Sequence, residues 1–138
     1  EEVMFDLTSQ YSARLWRSAC GLGKIAFDIS DIPALDDEPY LRRQMRDAAL
    51  RLPEVVVETL NTTEEANARD RLASAKSIGH EIRHYAEVAW RLGLISWDLA
   101  EEALRIGNDL FVELAHHELR RLILAQPSPA SVELDQSA

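Results

Sequence analysis

Cysteine, lysine and long apolar runs are what this chain has least of. The one cysteine, Cys20, excludes an intrachain disulfide and any cysteine-built metal cluster, and reads instead as a small core-facing residue. No run of eighteen apolar residues occurs, so a membrane span of ordinary length is excluded. The opening stretch EEVMFDLTSQ lacks the basic-then-apolar layout of a secretory leader, and the chain therefore reads as cytoplasmic. Cations are in deficit, with 15 Lys and Arg against 24 Asp and Glu and a net charge of −9. Such a surface repels a phosphate backbone over most of its area, which argues against nucleic acid as a general partner. Thirteen of the fifteen cations are Arg, the side chain suited to forked ion pairs between helices. Glycine is scarce and β-branched runs are short, leaving little material for strands.

What is present is apolar periodicity at three-and-four spacing, over a chain long enough for one domain with a core. Leu7, Tyr11, Leu15, Ala19, Leu22, Ala26 and Ile29 line one face of a first helix, which should end near Ser30, before Ile32 and Pro33. The acidic, proline-bounded stretch SDIPALDDEP reads as a loop. A second helix follows from about Tyr40, with the stripe Leu41, Met45, Ala48, Leu52, Val55 or Val56, and Thr59. That stripe passes through Pro53 without losing phase. A proline inside a helix costs roughly 3 kcal/mol or more, yet both halves can still bury the same face, so the spacing predicts one bent helix. Thr62 and Glu65 form a capping-box pattern for a third helix. Its seam, Ala68, Leu72, Ala75, Gly79, Ile82, Ala86 and Ala89, is built of small residues that let a neighbour approach closely. Leu92-Gly93-Leu94 predicts a left-handed stop at Gly93, and Ser96 can cap a fourth helix from Trp97 to about Leu124. Helices three and four should form a tight antiparallel hairpin.

The fold class expected is therefore all-α: an antiparallel up-and-down four-helix bundle over residues 1–125, with helix two bent at a proline, then a disordered polar tail at 126–138. Helix four also carries a second apolar stripe, Leu104, Phe111, Ala115, Leu119 and Leu122, displaced from its core stripe of Ala103, Ile106, Leu110 and Leu114. A helix that is apolar on two sides needs a second partner or a covering segment. Those five residues are the expected interface of a homo-oligomer, and Pro53, Gly79 and Gly93 are the positions expected to matter structurally. The alternative cover is the tail or the loop between helices one and two.

Two short motifs suggest metal chemistry. HEIRH, His80 to His84, fits H-E-x-x-H, with Glu81 where a general base would sit. A zinc hydrolase also needs a third ligand and an enclosed open position, and the extended form fails because Glu87 and Trp90 occupy the further ligand places. With Ile82 at the centre of the core stripe, both histidines should point outward. Glu81 with His84 and Glu113 with His116 both read Glu-x-x-His, as in di-metal bundles, but helix one offers no inward glutamate in its body. The expectation is no catalytic residue, no resident metal and no cofactor, with at most an incidental ion on His80 and His84. Gly21 to Gly23 lacks a preceding strand and is not a phosphate loop. Arg42, Arg43, Arg46 and Arg51 should pair with acidic neighbours rather than with nucleic acid. Trp16, Trp90 and Trp97 read as core and interface residues.

QMRDAALRLPEVVVE, Gln44 to Glu58, resembles the signature of a bacterial four-helix bundle protein family first noticed as reading frames within intervening sequences of large-subunit ribosomal RNA genes. That signature runs approximately Q-x-R-x-A-A-x-S-x-P-x-N-I-A-E-G, and Gln44, Arg46, Ala48, Ala49, Pro53 and Glu58 match it. The likeness extends back to Pro33 and Tyr40-Leu41, and forward through Ala75, Glu81 and the turn from Leu92 to Ser96. Arg51, Val55 and Thr59 depart from it. The resemblance implies an up-and-down bundle bent at the proline and assembly as a homopentamer. It also implies kinship with the accessory variability protein of diversity-generating retroelements, similar to a basic pentamer that binds nucleic acid and a reverse transcriptase; here the charge has the opposite sign. The function expected is a non-enzymatic, homo-oligomeric assembly or interaction scaffold with an unidentified protein partner. A nucleic-acid-binding accessory protein is the alternative, and a metal-dependent hydrolase at His80, Glu81 and His84 the third.

Overall fold

A computed structural model describes residues 10–125. It is all-helical: α1 spans Gln10–Ser30, α2 Pro39–Asn61, α3 Glu65–Arg91 and α4 Trp97–Ala125, with a short 3-10 helix at Pro33–Asp37 and no strand among the described residues. Leu7 and the polar tail 126–138 lie outside the described residues. α1 packs on α2 and α4, α3 packs on the same two, and α1 and α3 touch more slightly across the interior. Early residues of α1 meet late residues of α4, as Tyr11 meets Arg120, while Gly21 meets Ile106.

One core fills the interior, with Leu15, Leu22, Ile29, Met45, Leu52, Ile82, Leu110 and Leu114 fully buried. The stripes read from spacing hold for α2, where Val56 and not Val55 is buried, and for α3, where Ile78 joins the seam. Tyr11 is the exception on α1. It is an exposed rim residue, its ring under the Arg120 guanidinium at 4.7 Å, because a phenol keeps its hydroxyl wet most cheaply at the end of a helix.

α2 continues through Pro53. A proline at this point supplies no N–H to the Ala49 carbonyl four residues back and crowds it. Gly23 lies against that site: a Cβ there would sit 2.9 Å from the Ala49 oxygen and 3.5 Å from the Pro53 ring. The absence of a side chain on α1 thus makes room for both consequences of the proline.

Two arginines tie helix ends to neighbouring elements. Arg42 donates from Nε to the Ser30 carbonyl at 2.7 Å and from its guanidinium to the Ile32 carbonyl at 2.9 Å, and pairs with Asp36 at 2.7 Å. It satisfies the Ser30 carbonyl at the end of α1, adds a second donor to the Ile32 carbonyl that Leu35 N–H already holds, and clamps the 3-10 helix to α2. Arg121, on α4, donates to the Thr62 and Thr63 carbonyls between α2 and α3 at 3.0 and 3.4 Å.

The stretch expected as a plain loop thus contains a 3-10 helix, started by Pro33. The capping box at Thr62 and Glu65 does not form. Thr62 is the last cap of α2, and its hydroxyl donates back to the Glu58 carbonyl, so it is not available to open α3. α3 begins instead after Glu64, with no side-chain cap. The turn between α3 and α4 is as the sequence predicts. Gly93 has φ +76°, Gly93 N–H donates to the Trp90 carbonyl, and Leu94 N–H donates to that of Ala89, closing a Schellman motif. Ser96 Oγ accepts from Leu99 N–H at 3.2 Å and caps α4.

Candidate interaction surface

The helix that shapes the candidate surface is α4. Its inward face begins with small residues, Ala100, Ala103 and Gly107, and ends with Leu110 and Leu114, all buried. The small half lets a long side chain of α3 cross it. Arg83 lies over Gly107, where a Cβ would come within 2.7 Å of its Cδ, and reaches the Phe111 ring, with its guanidinium carbon 5.3 Å from the centroid. On the same side Gly79 leaves a notch for Phe111: a Cβ there would touch the ring at 3.0 Å. His80 stacks on that ring, with centroids 4.3 Å apart.

The five expected interface residues therefore divide. Phe111 is half-buried in the seam with α3 and Leu104 is half-buried as well, whereas Ala115, Leu119 and Leu122 are exposed. Beside the exposed three lie further apolar side chains that the single second stripe did not include. These are Val112, 50% exposed, Ile123, 58%, and Leu124, 76%, beside Leu119 at 55% and Leu122 at 52%. Each leaves on the order of 1 kcal/mol of unrealised apolar burial. The signal for Val112 was in the sequence: Val112, Ala115, Leu119 and Leu122 repeat at three, four and three residues, the spacing of a coiled-coil seam. Toward α1 the surface becomes an open groove of about 310 Å³ lined by Tyr11, Arg14, His116, Leu119, Arg120 and Ile123. A second groove of about 280 Å³ follows it along α1 and α4, lined by Arg14, Arg17, Ser18, Asp109, Val112 and Glu113.

The residues of the metal motifs are scattered. His80 and His84 are exposed, His80 against Phe111 and His84 tilted against Tyr85 at 5.8 Å. Glu81 lies within 3.4 Å of the Arg51 guanidinium. Glu113 is deeper than a plain surface position: its side chain is 15% exposed, and its Oε1 is buried, without a hydrogen bond and 3.8 Å from His116 Nδ1. His116 itself is exposed and on the α1 side. Among the described residues no three His, Cys, Asp or Glu side chains come together in a way that could hold a metal. His117 is half-buried with Nε2 unpartnered; burial first, then the charges of Arg121 and Arg120, hold its imidazole below the ordinary value. Burial pushes the Cys20 thiol up, as befits a packing residue.

Three of the four arginines of the streak, Arg42, Arg46 and Arg51, are paired within the chain, while Arg43 is exposed. Besides Arg42, Arg46 pairs with Asp31 at 2.9 Å, and Arg51 pairs with Asp47 at 2.8 Å. The aromatic rings Trp90 and Trp97 pack on one another at the α3–α4 turn, with centroids 4.7 Å apart. No helix among the described residues is long and apolar enough to cross a membrane. Comparison with known protein families, with curated proteins and with solved structures finds no match.

Proposed function

We propose that this chain is a non-enzymatic, cytoplasmic four-helix bundle protein that associates with copies of itself and serves as an assembly or interaction scaffold. In this reading the helices run up and down, antiparallel, with α2 bent at Pro53. The observation that carries self-association is the exposed apolar side of α4, with Val112, Leu119, Leu122 and Ile123 each half or more exposed. Monomers in water seldom leave so many large apolar side chains together on one helix. Membership of the bacterial four-helix bundle protein family, proposed from the Gln44 to Glu58 resemblance, supports the same reading and suggests a ring of five. Light scattering on the purified full chain tests it. A mass that is a multiple of 15.6 kDa at micromolar concentration is expected. A mass of one chain would remove the proposal.

The nucleic-acid reading gains no support from the Arg42 to Arg51 streak, since Arg42, Arg46 and Arg51 are each held by a carboxylate. The hydrolase reading would need a third ligand near His80 and His84, and the described residues supply none.

A further inference from the structure

We propose that the end of the bundle where α4 meets the α2–α3 turn carries a pH-sensitive latch, in which Arg121 holds the turn closed and protonation of His117, one helical turn before it, lets the turn go. The proposal does not depend on self-association. The latch is one side chain. Arg121, with 19% of its side chain exposed, donates to the Thr62 and Thr63 carbonyls at 3.0 and 3.4 Å and lies 3.7 Å from Glu65 Oε2. The turn's own bonds are weak at this point: Thr62 N–H reaches the Thr59 carbonyl at 3.4 Å, and α3 starts without a side-chain cap. Charge-assisted bonds from Arg121 therefore matter here.

His117 lies on the same side of α4. Leu110, Leu114, His117 and Arg121 follow at four, three and four residues, so the inward stripe runs out of the core and ends in two basic side chains. Leu114 is the last fully buried residue of α4 among the described ones, which leaves the turns beyond it the easiest to open. The His117 ring is half-buried, and its Nε2 is buried without a partner. A neutral imidazole tolerates this, because its proton can sit on Nδ1 and leave a bare lone pair at Nε2. The imidazolium cannot. It sets an N–H at Nε2 with no acceptor and carries a positive charge out of water. Asn61 Oδ1, at the end of α2 beside the turn, is buried and unpartnered too, so the two atoms do not satisfy one another.

The surrounding charges do not relieve the cost. Arg121 and Arg120 act on the ring with the same sign as the new charge. On α4 itself Glu118 is taken by Lys76 at 3.1 Å, and Glu113 lies 3.8 Å from His116. α3 brings Glu65, shared by Arg121 and Arg69, α2 brings Glu58, held by Arg71 at 3.4 Å, and α1 brings a phenol, Tyr11, and a further cation, Arg14. Burial and the two arginines hold the closed-state imidazole below its ordinary value of 6.5, so the opened end takes up the proton first. Closure is fully favoured above that value and weakens as pH falls below it.

Amide hydrogen exchange of the full chain, corrected for the intrinsic effect of pH, tests the latch between about pH 7.5 and about pH 5.5. The Thr62 and Ala68 amides report on the α2–α3 turn and the start of α3, and Gly93 and Leu94, at the other end of α3, serve as reference. Protection at Thr62 and Ala68 should fall by ~3–10-fold, within the limit of tenfold per pH unit for one proton, while the reference amides hold. His117→Gln should keep its helical circular dichroism and flatten that response. Arg121→Gln should expose both amides already at the higher pH. Protection that stays level or rises in the wild type would overturn the proposal, as would an equal fall at Gly93 and Leu94. A fall that His117→Gln retains would assign the response to Glu65 and remove His117 from it. Wild-type protection in Arg121→Gln would show that Arg121 is not the latch.

Discussion

Replacing Gly23 with alanine should destabilise the protein, although alanine is the better helix former. In an open helix position the exchange gains about 0.8–1.0 kcal/mol. Here the new methyl would lie 2.9 Å from the Ala49 carbonyl oxygen, an atom of the backbone that cannot swing aside as a side-chain end can. Overpacking of this kind costs about 1–3 kcal/mol, so the net loss should be about 1 kcal/mol. With a urea m-value of about 1–3 kcal/mol/M, the unfolding midpoint should fall by roughly 0.5 M. The sharper assay is a double-mutant cycle with Pro53→Ala. That substitution restores an N–H to bond the Ala49 carbonyl and draws the oxygen back toward its own helix. In its presence Gly23→Ala should cost less, with a coupling of about 1 kcal/mol between the two positions. If Gly23→Ala unfolds at the wild-type midpoint or above, or if the two changes simply add, the account of how α1 accommodates Pro53 is wrong.

Other outcomes follow from single contacts. Arg42→Ala should cost about 1–3 kcal/mol in chemical denaturation by removing the Arg42 donor from the Ser30 carbonyl and leaving the Ile32 carbonyl with the Leu35 N–H alone. Arg42→Lys should recover little of that, because an ammonium cannot reproduce the fork. Gly93→Ala should lose about 1–2 kcal/mol because φ +76° is unfavourable with a Cβ, while Gly93→Asn should lose less, again by denaturation midpoint. Burial holds the folded His117 imidazole below the ordinary value of 6.5, so the unfolded chain takes up this proton first. Its contribution is intact above 6.5 and is lost as pH falls through that value. Thermal midpoints from about pH 7.5 down to about pH 5.5 should therefore drop more steeply in wild type than in His117→Gln.

The helices were legible because burial leaves a mark at every third or fourth position, and because Gly93 and Ser96 announce their turn by local chemistry alone. Thr62 and Glu65 misled for a physical reason: the hydroxyl had two backbone groups within reach, and the end of α2 held it first. Tyr11 fits the α1 stripe by spacing, but spacing does not say how far a core extends along a helix. On α4 the sequence marked a second apolar side without resolving it into two. Phe111 is drawn into the α3 seam by the notch at Gly79, a contact between residues 32 positions apart that periodicity within one helix cannot register. The exposed ridge through Val112 then stands apart from it. Likewise the arginine streak reads as a patch of charge until Asp31, Asp36 and Asp47 are seen beside it.

Hydroxyl-radical footprinting of the full chain across a dilution series tests most directly whether that ridge is covered by another molecule. Leu50, 66% exposed on α2, serves as the internal reference for a side chain open to solvent. The account predicts that Leu119, Leu122 and Ile123 react much more slowly than Leu50 at high concentration and approach it on dilution. Reactivity matching Leu50 at every concentration would contradict it.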